Sequence, residues 1–320
     1  MKKEEKVTFN DVEVAYERIS HQVHQTPILT SNYLDKLTRA KLYFKCENFQ
    51  KVGAFKIRGA LNSVKKLQDL HIYTPLVTHS SGNHGQALAL AGSLCHYPVH
   101  VVMPIDSSKI KIDAVKSYGA SVHYCQTGIE NRELEALKIL DEVSGTMIHP
   151  YSEKSVIEGQ GTVAYEFLSS MKDLDILLVP VGGGGLISGC SLVAKTLSPK
   201  TLVYGVEPKA LDDASRSYAR KVHVIGNKGS SIADGLRANI GKTNFKYILE
   251  YVDGFITVKE ESLIKAMKTV WERMKIIIEP SAAVTLAAVL DFPDIFYNKK
   301  VGLILSGGNL DLENLPWQSI

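Results

Sequence analysis

The sequence predicts an α/β fold in which largely parallel sheets are covered by helices. Two observations carry the prediction. Short apolar runs alternate with amphipathic stretches along most of the chain, which is the pattern of strand–helix units. Several of those runs are apolar on both faces, as strands shielded from water on each side must be.

In chain order, strands are read at residues 42–46, 99–103, 121–125, 176–181, 202–206 and 301–305, and a further apolar strand leads into Thr78. Amphipathic helices are read at 83–95, 109–118, 131–143, 156–171, 186–197, 260–274 and 281–290. No repeat or low-complexity tract interrupts them. Pro75 and Pro150 lie near element boundaries and mark expected domain crossings.

Composition narrows the function. The net charge of +3 is nearly balanced, and Lys2, Lys3, Glu4 and Glu5 make a mixed-charge, solvated start, so nucleic acid is not an expected partner. No apolar stretch approaches the roughly 20 residues of a membrane span, so no membrane association is expected. Cys46, Cys95, Cys125 and Cys190 are scattered without Cys-x-x-Cys pairing and read as buried thiols of a reducing compartment. The N-terminus has no apolar signal segment, so a cytoplasmic location is expected.

Three segments carry chemistry. Val181 is followed by Gly182, Gly183, Gly184 and Gly185, after an apolar strand and at the head of a helix. Backbone N–H groups of such a run converge on an anion, helped by the positive end of the helix, so the segment reads as a phosphate cup. It lacks the Gly-Lys-Ser/Thr of a P-loop and the spacing of the dinucleotide fingerprint. A tight turn needs fewer glycines than this.

Lys56 lies between Phe55 and Ile57, and apolar flanks lower a lysine's proton affinity. Lys51 is its equal on composition, but those flanks together with the cup point to Lys56 and a phosphorylated aldehyde. The third segment, Ser80-Ser-Gly-Asn-His84, sits between a strand and a helix. Ser80 and Ser81 suit a substrate carboxylate and Asn83 a helix cap; a plain capping loop explains the same residues.

Taken in order, Ala54-Phe-Lys-Ile-Arg-Gly-Ala60, Ser80-Ser-Gly-Asn-His84, Val181-Gly-Gly-Gly-Gly-Leu186 and Ser306-Gly-Gly-Asn309 resemble the fold type II pyridoxal phosphate enzymes, in their serine racemase and serine/threonine dehydratase group. The resemblance runs from about Thr26 onward. It implies a two-domain fold like the tryptophan synthase β subunit, with the cofactor between the domains. Residues 1–74 and 152–320 would form the large domain and 75–151 a small mobile one, in a homodimer.

It also implies roles. Lys56 would carry pyridoxal 5′-phosphate and exchange the α-proton, with Phe55 beside the ring. Asn83 would meet the ring hydroxyl, Gly182, Gly183, Gly184 and Gly185 the phosphate, and Ser306 the pyridine nitrogen. Ser80, Ser81, Gly82 and His84 would hold the substrate, with Ser81 facing the α-carbon opposite Lys56. A divalent Mg²⁺ or Ca²⁺ would sit on Glu207, the Leu211 carbonyl and Asp213, a hard oxygen set.

The implied activity is dehydration and deamination of L-serine or L-threonine. Serine racemisation, 3-hydroxyaspartate dehydration and a silent cofactor-binding protein are the alternatives; Arg132 could face the second carboxylate of hydroxyaspartate, but a solvated helix position is the favoured reading. Gln86, Tyr118, Lys275 and Asn309 match an ATP effector site of animal racemases. Val52 departs from it, since the racemases have threonine there; Tyr151 stands where they have an asparagine near the cofactor, and Ala54 where many members have serine.

Overall fold

The computed structural model describes residues 6–80, 82–226 and 229–317. Its strands are β1 (Ile28–Leu29), β2 (Lys41–Cys46), β3 (Leu76–His79), β4 (Val99–Pro104), β5 (Ser121–Cys125), β6 (Thr146–Met147), β7 (Ile176–Pro180), β8 (Leu202–Pro208), β9 (Gly254–Val258) and β10 (Lys300–Leu305). Its helices are α1 (Phe9–Ile19), α2 (Asn32–Thr38), α3 (Lys56–Asp69), α4 (Asn83–Cys95), α5 (Lys109–Ser117), α6 (Ile129–Glu142), α7 (Lys154–Ser170), α8 (Gly185–Leu197), α9 (Asp213–Arg220), α10 (Lys242–Tyr251), α11 (Glu260–Met274), α12 (Pro280–Asp291) and α13 (Pro293–Phe296). Every strand and helix range given from the sequence is found within two residues.

The strands form two sheets. A six-stranded sheet has the order β1-β2-β10-β7-β8-β9, parallel except where β1 pairs with β2. A four-stranded parallel sheet has the order β5-β4-β3-β6. The α/β architecture with parallel-rich sheets is therefore as the alternation predicts. β7 is Ile-Leu-Leu-Val-Pro, buried at every position, because helices cover both faces of its sheet. One face packs on α11 and α12 through residues such as Met267, Val270 and Leu286; the other packs on α7, α8 and α10 through Phe167, Ile187 and Ile248.

The four-stranded sheet is built the same way. Leu76 and Val101 face Ile57, Leu61 and Leu88 of α3 and α4, and Val77 and Val102 face Ala136 and Ile139 of α6. Helix α3 thus seals the smaller sheet while also lying against α7 of the larger one. Among the described residues, no helix is long and apolar enough to cross a membrane.

Parallel pairing fixes where a site can form. The carboxyl ends of β2, β7, β8 and β10 fall on one edge, so the loops that follow Cys46, Pro180, Pro208 and Leu305 converge there. The loop after β3 carries Ser80 to Asn83.

Candidate active site

Lys56 is the first residue of α3. The loop before it is clasped to the loop after β10: Ala54 bridges Gly307, Phe55 N–H donates to the Ser306 carbonyl (3.1 Å), and Gly308 N–H donates to the Gly53 carbonyl (2.9 Å). Lys56 and Ser306, 250 residues apart in sequence, are held together by this clasp. Lys56 Nζ lies 5.3 Å from the Phe55 ring centre and donates to the Pro150 carbonyl at 2.9 Å. Burial pulls its pKa down to about 8, against the opposing pull of the Glu279 carboxylate. A neutral amine is thus within reach near physiological pH. Ser306 is buried at the end of β10.

Gly182 to Gly185 join β7 to α8, with Gly184 in the left-handed region (φ +92°). A side chain fits at none of the four. A Cβ would strike Leu236 at Gly182, the Tyr151 ring at Gly183, Ile240 at Gly184 and the Tyr151 backbone at Gly185. The backbone of this turn is left as the lining of a cup at the α8 N-terminus, which is what a phosphate requires.

The loop after β3 faces these two from the smaller sheet. Ser80 is buried, and its Oγ accepts from Gly82 N–H at 3.2 Å. Ser81 lies outside the described residues. Gly82 precedes α4, and Asn83 opens it without capping it through its side chain. Instead Asn83 Nδ2 donates to both oxygens of Glu279 (2.9 and 3.1 Å), while Asn309 Nδ2 donates to Asn83 Oδ1 (2.9 Å) and to the Val52 carbonyl (2.6 Å). The cap expected at Asn83 is therefore replaced by a fixed amide that reaches the larger sheet.

His84 Nε2 sits 3.2 Å from the Ile148 carbonyl, which only accepts, so the ring donates there. Burial, and then Lys56, hold its pKa well below the usual histidine range. The ring is neutral, with a buried Nδ1 that has no hydrogen-bond partner and is aimed as an acceptor.

Glu279 is the residue that sequence reasoning missed. It is buried, accepts from Asn83 and from Asn309 N–H (3.1 Å), and is pushed up to about 7 by burial and by Asp234. A carboxylate directly after Ile276, Ile277 and Ile278 and before a helix-opening Pro280 was the available signal. Lys111 of α5 pairs with Asp234 and so ties the smaller sheet's helices to the loop in front of α10.

The segment expected to hold a metal is also assembled. Glu207 ends β8 and Asp213 opens α9, both 1% exposed, with Leu211 between them. Glu207 accepts from Ala214 N–H (3.2 Å) and Ser215 N–H (2.8 Å), and Asp213 from Ile240 N–H (2.7 Å). Burial, with mutual repulsion, raises Glu207 well above the carboxylate range, and burial lifts Asp213 to about 6. Among the described residues, no group of three or more His, Cys, Asp or Glu side chains is gathered for a metal.

Residues 19–307 match the model of the family described as pyridoxal-phosphate dependent enzyme. The chain belongs to that family. It is 45% identical to a serine racemase of Dictyostelium discoideum, over 97% of both chains. It is 41% identical to a beta-hydroxyaspartate dehydratase of Paracoccus denitrificans, covering 97% of this chain and 98% of the other. The structure of maize serine racemase superposes with a TM-score of 0.94 at 40% identity, over 98% of this chain and 97% of the other. The fold is therefore that of fold type II pyridoxal phosphate enzymes.

Within that family the cup, the lysine and Ser306 fit the cofactor by their own chemistry. The cup offers backbone N–H groups to a phosphate, the amine is poised for an aldehyde, and a buried hydroxyl lies at the end of β10.

Proposed function

We propose that this chain eliminates water from L-serine or L-threonine, giving a 2-oxo acid and ammonia. The observation that carries the reading is Lys56: a buried amine on a loop clasped to the strand end that bears Ser306, its Nζ held by Pro150, whose neighbour Tyr151 packs on the glycine turn. When bound, pyridoxal phosphate supplies an aldehyde for amines and a ring that takes up the electron pair left at the α-carbon.

The chain's own residues do the rest. Gly182, Gly183, Gly184 and Gly185 hold the phosphate, Phe55 lies beside the ring and Asn83 holds the ring hydroxyl. Ser306 meets the pyridine nitrogen as a neutral partner that does not enforce protonation, which disfavours transamination. Lys56 Nζ would be the base that takes the α-proton of the bound substrate. Ser80, Ser81 and Gly82 hold the substrate carboxylate, and His84, whose Nδ1 only accepts, takes a donor group of the substrate. Loss of the β-hydroxyl as water, followed by hydrolysis of the released product in solution, would give the 2-oxo acid and ammonia. Residues 75–151 close over the substrate and exclude water. Glu207, the Leu211 carbonyl and Asp213 bind Mg²⁺ or Ca²⁺ as a structural ion, and the working unit is a homodimer. We treat ATP as an effector to be tested, because Val52 and Tyr151 depart from the racemase pattern.

A second reading, serine racemisation, is supported by the 45% identical Dictyostelium racemase and by Ser81 in the sequence. Ser81 would return the proton on the face opposite Lys56. The Paracoccus relative makes 3-hydroxyaspartate the third substrate to try.

The test is a panel of L-serine, L-threonine and 3-hydroxyaspartate, with and without Mg²⁺, followed for 2-oxo acid and for D-serine. Fast 2-oxo acid formation from serine or threonine is expected. D-serine without 2-oxo acid would overturn the dehydratase reading, and absence of D-serine in every condition would remove the racemase one. Lys56→Ala should abolish both products. Ser81→Ala should cut D-serine at least tenfold and spare part of the elimination; equal loss of both contradicts that division of labour.

A further inference from the structure

Residues 149–152 link the smaller sheet to α7 and carry a histidine that the proposed chemistry leaves unused. His149 Nδ1 accepts from two backbone donors, Tyr151 N–H at 3.3 Å and Ser152 N–H at 3.2 Å. An acceptor at Nδ1 fixes the proton on Nε2, and burial, then His79 and Lys56, pull the pKa down to about 4, so the ring is neutral. The backbone N–H of His149 donates to Glu153 Oε1 at 2.6 Å.

The ring touches both halves of the site. It meets His79, at the end of β3, edge-on at 5.6 Å, and Tyr151 edge-on at 4.5 Å. Tyr151 in turn fills the space where a side chain at Gly183 would go, and its backbone does the same at Gly185. Its carbonyl accepts from Asn244 Nδ2 at 2.9 Å, and Asn244 backs Gly184. Pro150, inside the same turn, supplies the carbonyl that holds Lys56 Nζ. One turn therefore sets both the wall of the cup and the resting place of the lysine.

We infer that His149 is a positioning residue that shapes the phosphate cup, by accepting the two N–H groups that fold residues 149–152. Without that acceptor, the Tyr151 and Ser152 amides lose their partner, the turn relaxes, and Tyr151 no longer braces Gly183 and Gly185. The role is specific to the Nδ1 position. Asparagine places an oxygen at nearly the same point and accepts the N–H two residues on, as in an Asx turn. Glutamine carries its oxygen one carbon further out, toward the place of Nε2.

The inference rests on pyridoxal phosphate as the bound group, so the probe separates the two claims. Pyridoxine 5′-phosphate has the phosphate but no aldehyde, so it reports on the cup without linkage to Lys56. Its affinity for the purified full chain is measured by equilibrium dialysis, beside the thermal midpoint of each variant. We expect His149→Asn to bind within about threefold of wild type and His149→Gln to bind at least tenfold more weakly, at similar midpoints. Equal affinity of the two variants, whether retained or lost, overturns the inference and leaves the proposed function standing. Failure of the wild-type chain to bind both pyridoxine 5′-phosphate and pyridoxal phosphate overturns both.

Discussion

At the scale of single residues, the site is governed by how one lysine is kept from being an ordinary one. Solvated lysines stay charged far above neutral pH; burial brings Lys56 to about 8, and Glu279 keeps it from falling further. If Lys56 is the attachment point proposed above, its neutral amine is the attacking form, and uptake of pyridoxal phosphate by the apoprotein should accelerate about tenfold per pH unit below 8 and level off above it. Stopped-flow absorbance at fixed cofactor concentration measures this, and a flat profile between pH 6 and 9 contradicts it. Glu279→Gln removes a negative charge that favours protonated Lys56, so the midpoint of the same profile should move below 8. A midpoint that rises or stays would show that Glu279 acts through Asn83 alone.

At the scale of elements, α3 is aimed by buried charge. Arg58, one turn into the helix, is fully buried and donates to Glu47 (2.8 and 2.9 Å) on the loop after β2 and to Glu166 (2.8 Å to each oxygen) on α7; Lys45 joins Glu166 at 2.6 Å. Arg58→Met leaves buried Glu47 with the Thr26 hydroxyl and no cation bonded to it, and Glu166 with Lys45, and should cost about 3–5 kcal/mol, read from the urea midpoint at constant slope. A loss below about 1 kcal/mol would mean that water reaches the carboxylates.

No part of this network was legible in the sequence, where Arg58 and Glu166 look like any solvated charges; only the fold brings them together. The glycine cup and Lys56 were legible because four glycines and an apolar-flanked lysine are locally unusual. Glu279 was not, because its meaning depends on Asn83, 196 residues away. Among elements, β1 and β6 are two residues long, too short for any period, and β9 mixes Gly254 and Thr257 with apolar residues at a sheet edge.

At the scale of the whole molecule, the buried carboxyl pair at Glu207 and Asp213 ties stability to pH and, if the proposed cation binds there, to cations. Both bind protons more tightly in the folded state than in the unfolded one. Their contribution is thus intact below about pH 4 and is lost as pH climbs through 6 and beyond. A divalent ion relieves the same repulsion. Adding Mg²⁺ or Ca²⁺ should therefore raise the thermal midpoint clearly at pH 8 and scarcely at pH 5, and Glu207→Gln should remove the difference. An equal rise at both pH values would place the cation elsewhere.

Strand order has a consequence for how the protein is made. The last strand, β10, is an inner one, lying between β2 and β7. Until it is synthesised the larger sheet exists only as two separate pieces, and the loop bearing Lys56 has nothing to clasp. A ribosome must therefore have translated through Gly307 before the loop bearing Lys56 can be clasped. The nascent chain meanwhile carries the flanks of β2 and β7 unpaired, which makes it a client for chaperones that shield sheet edges.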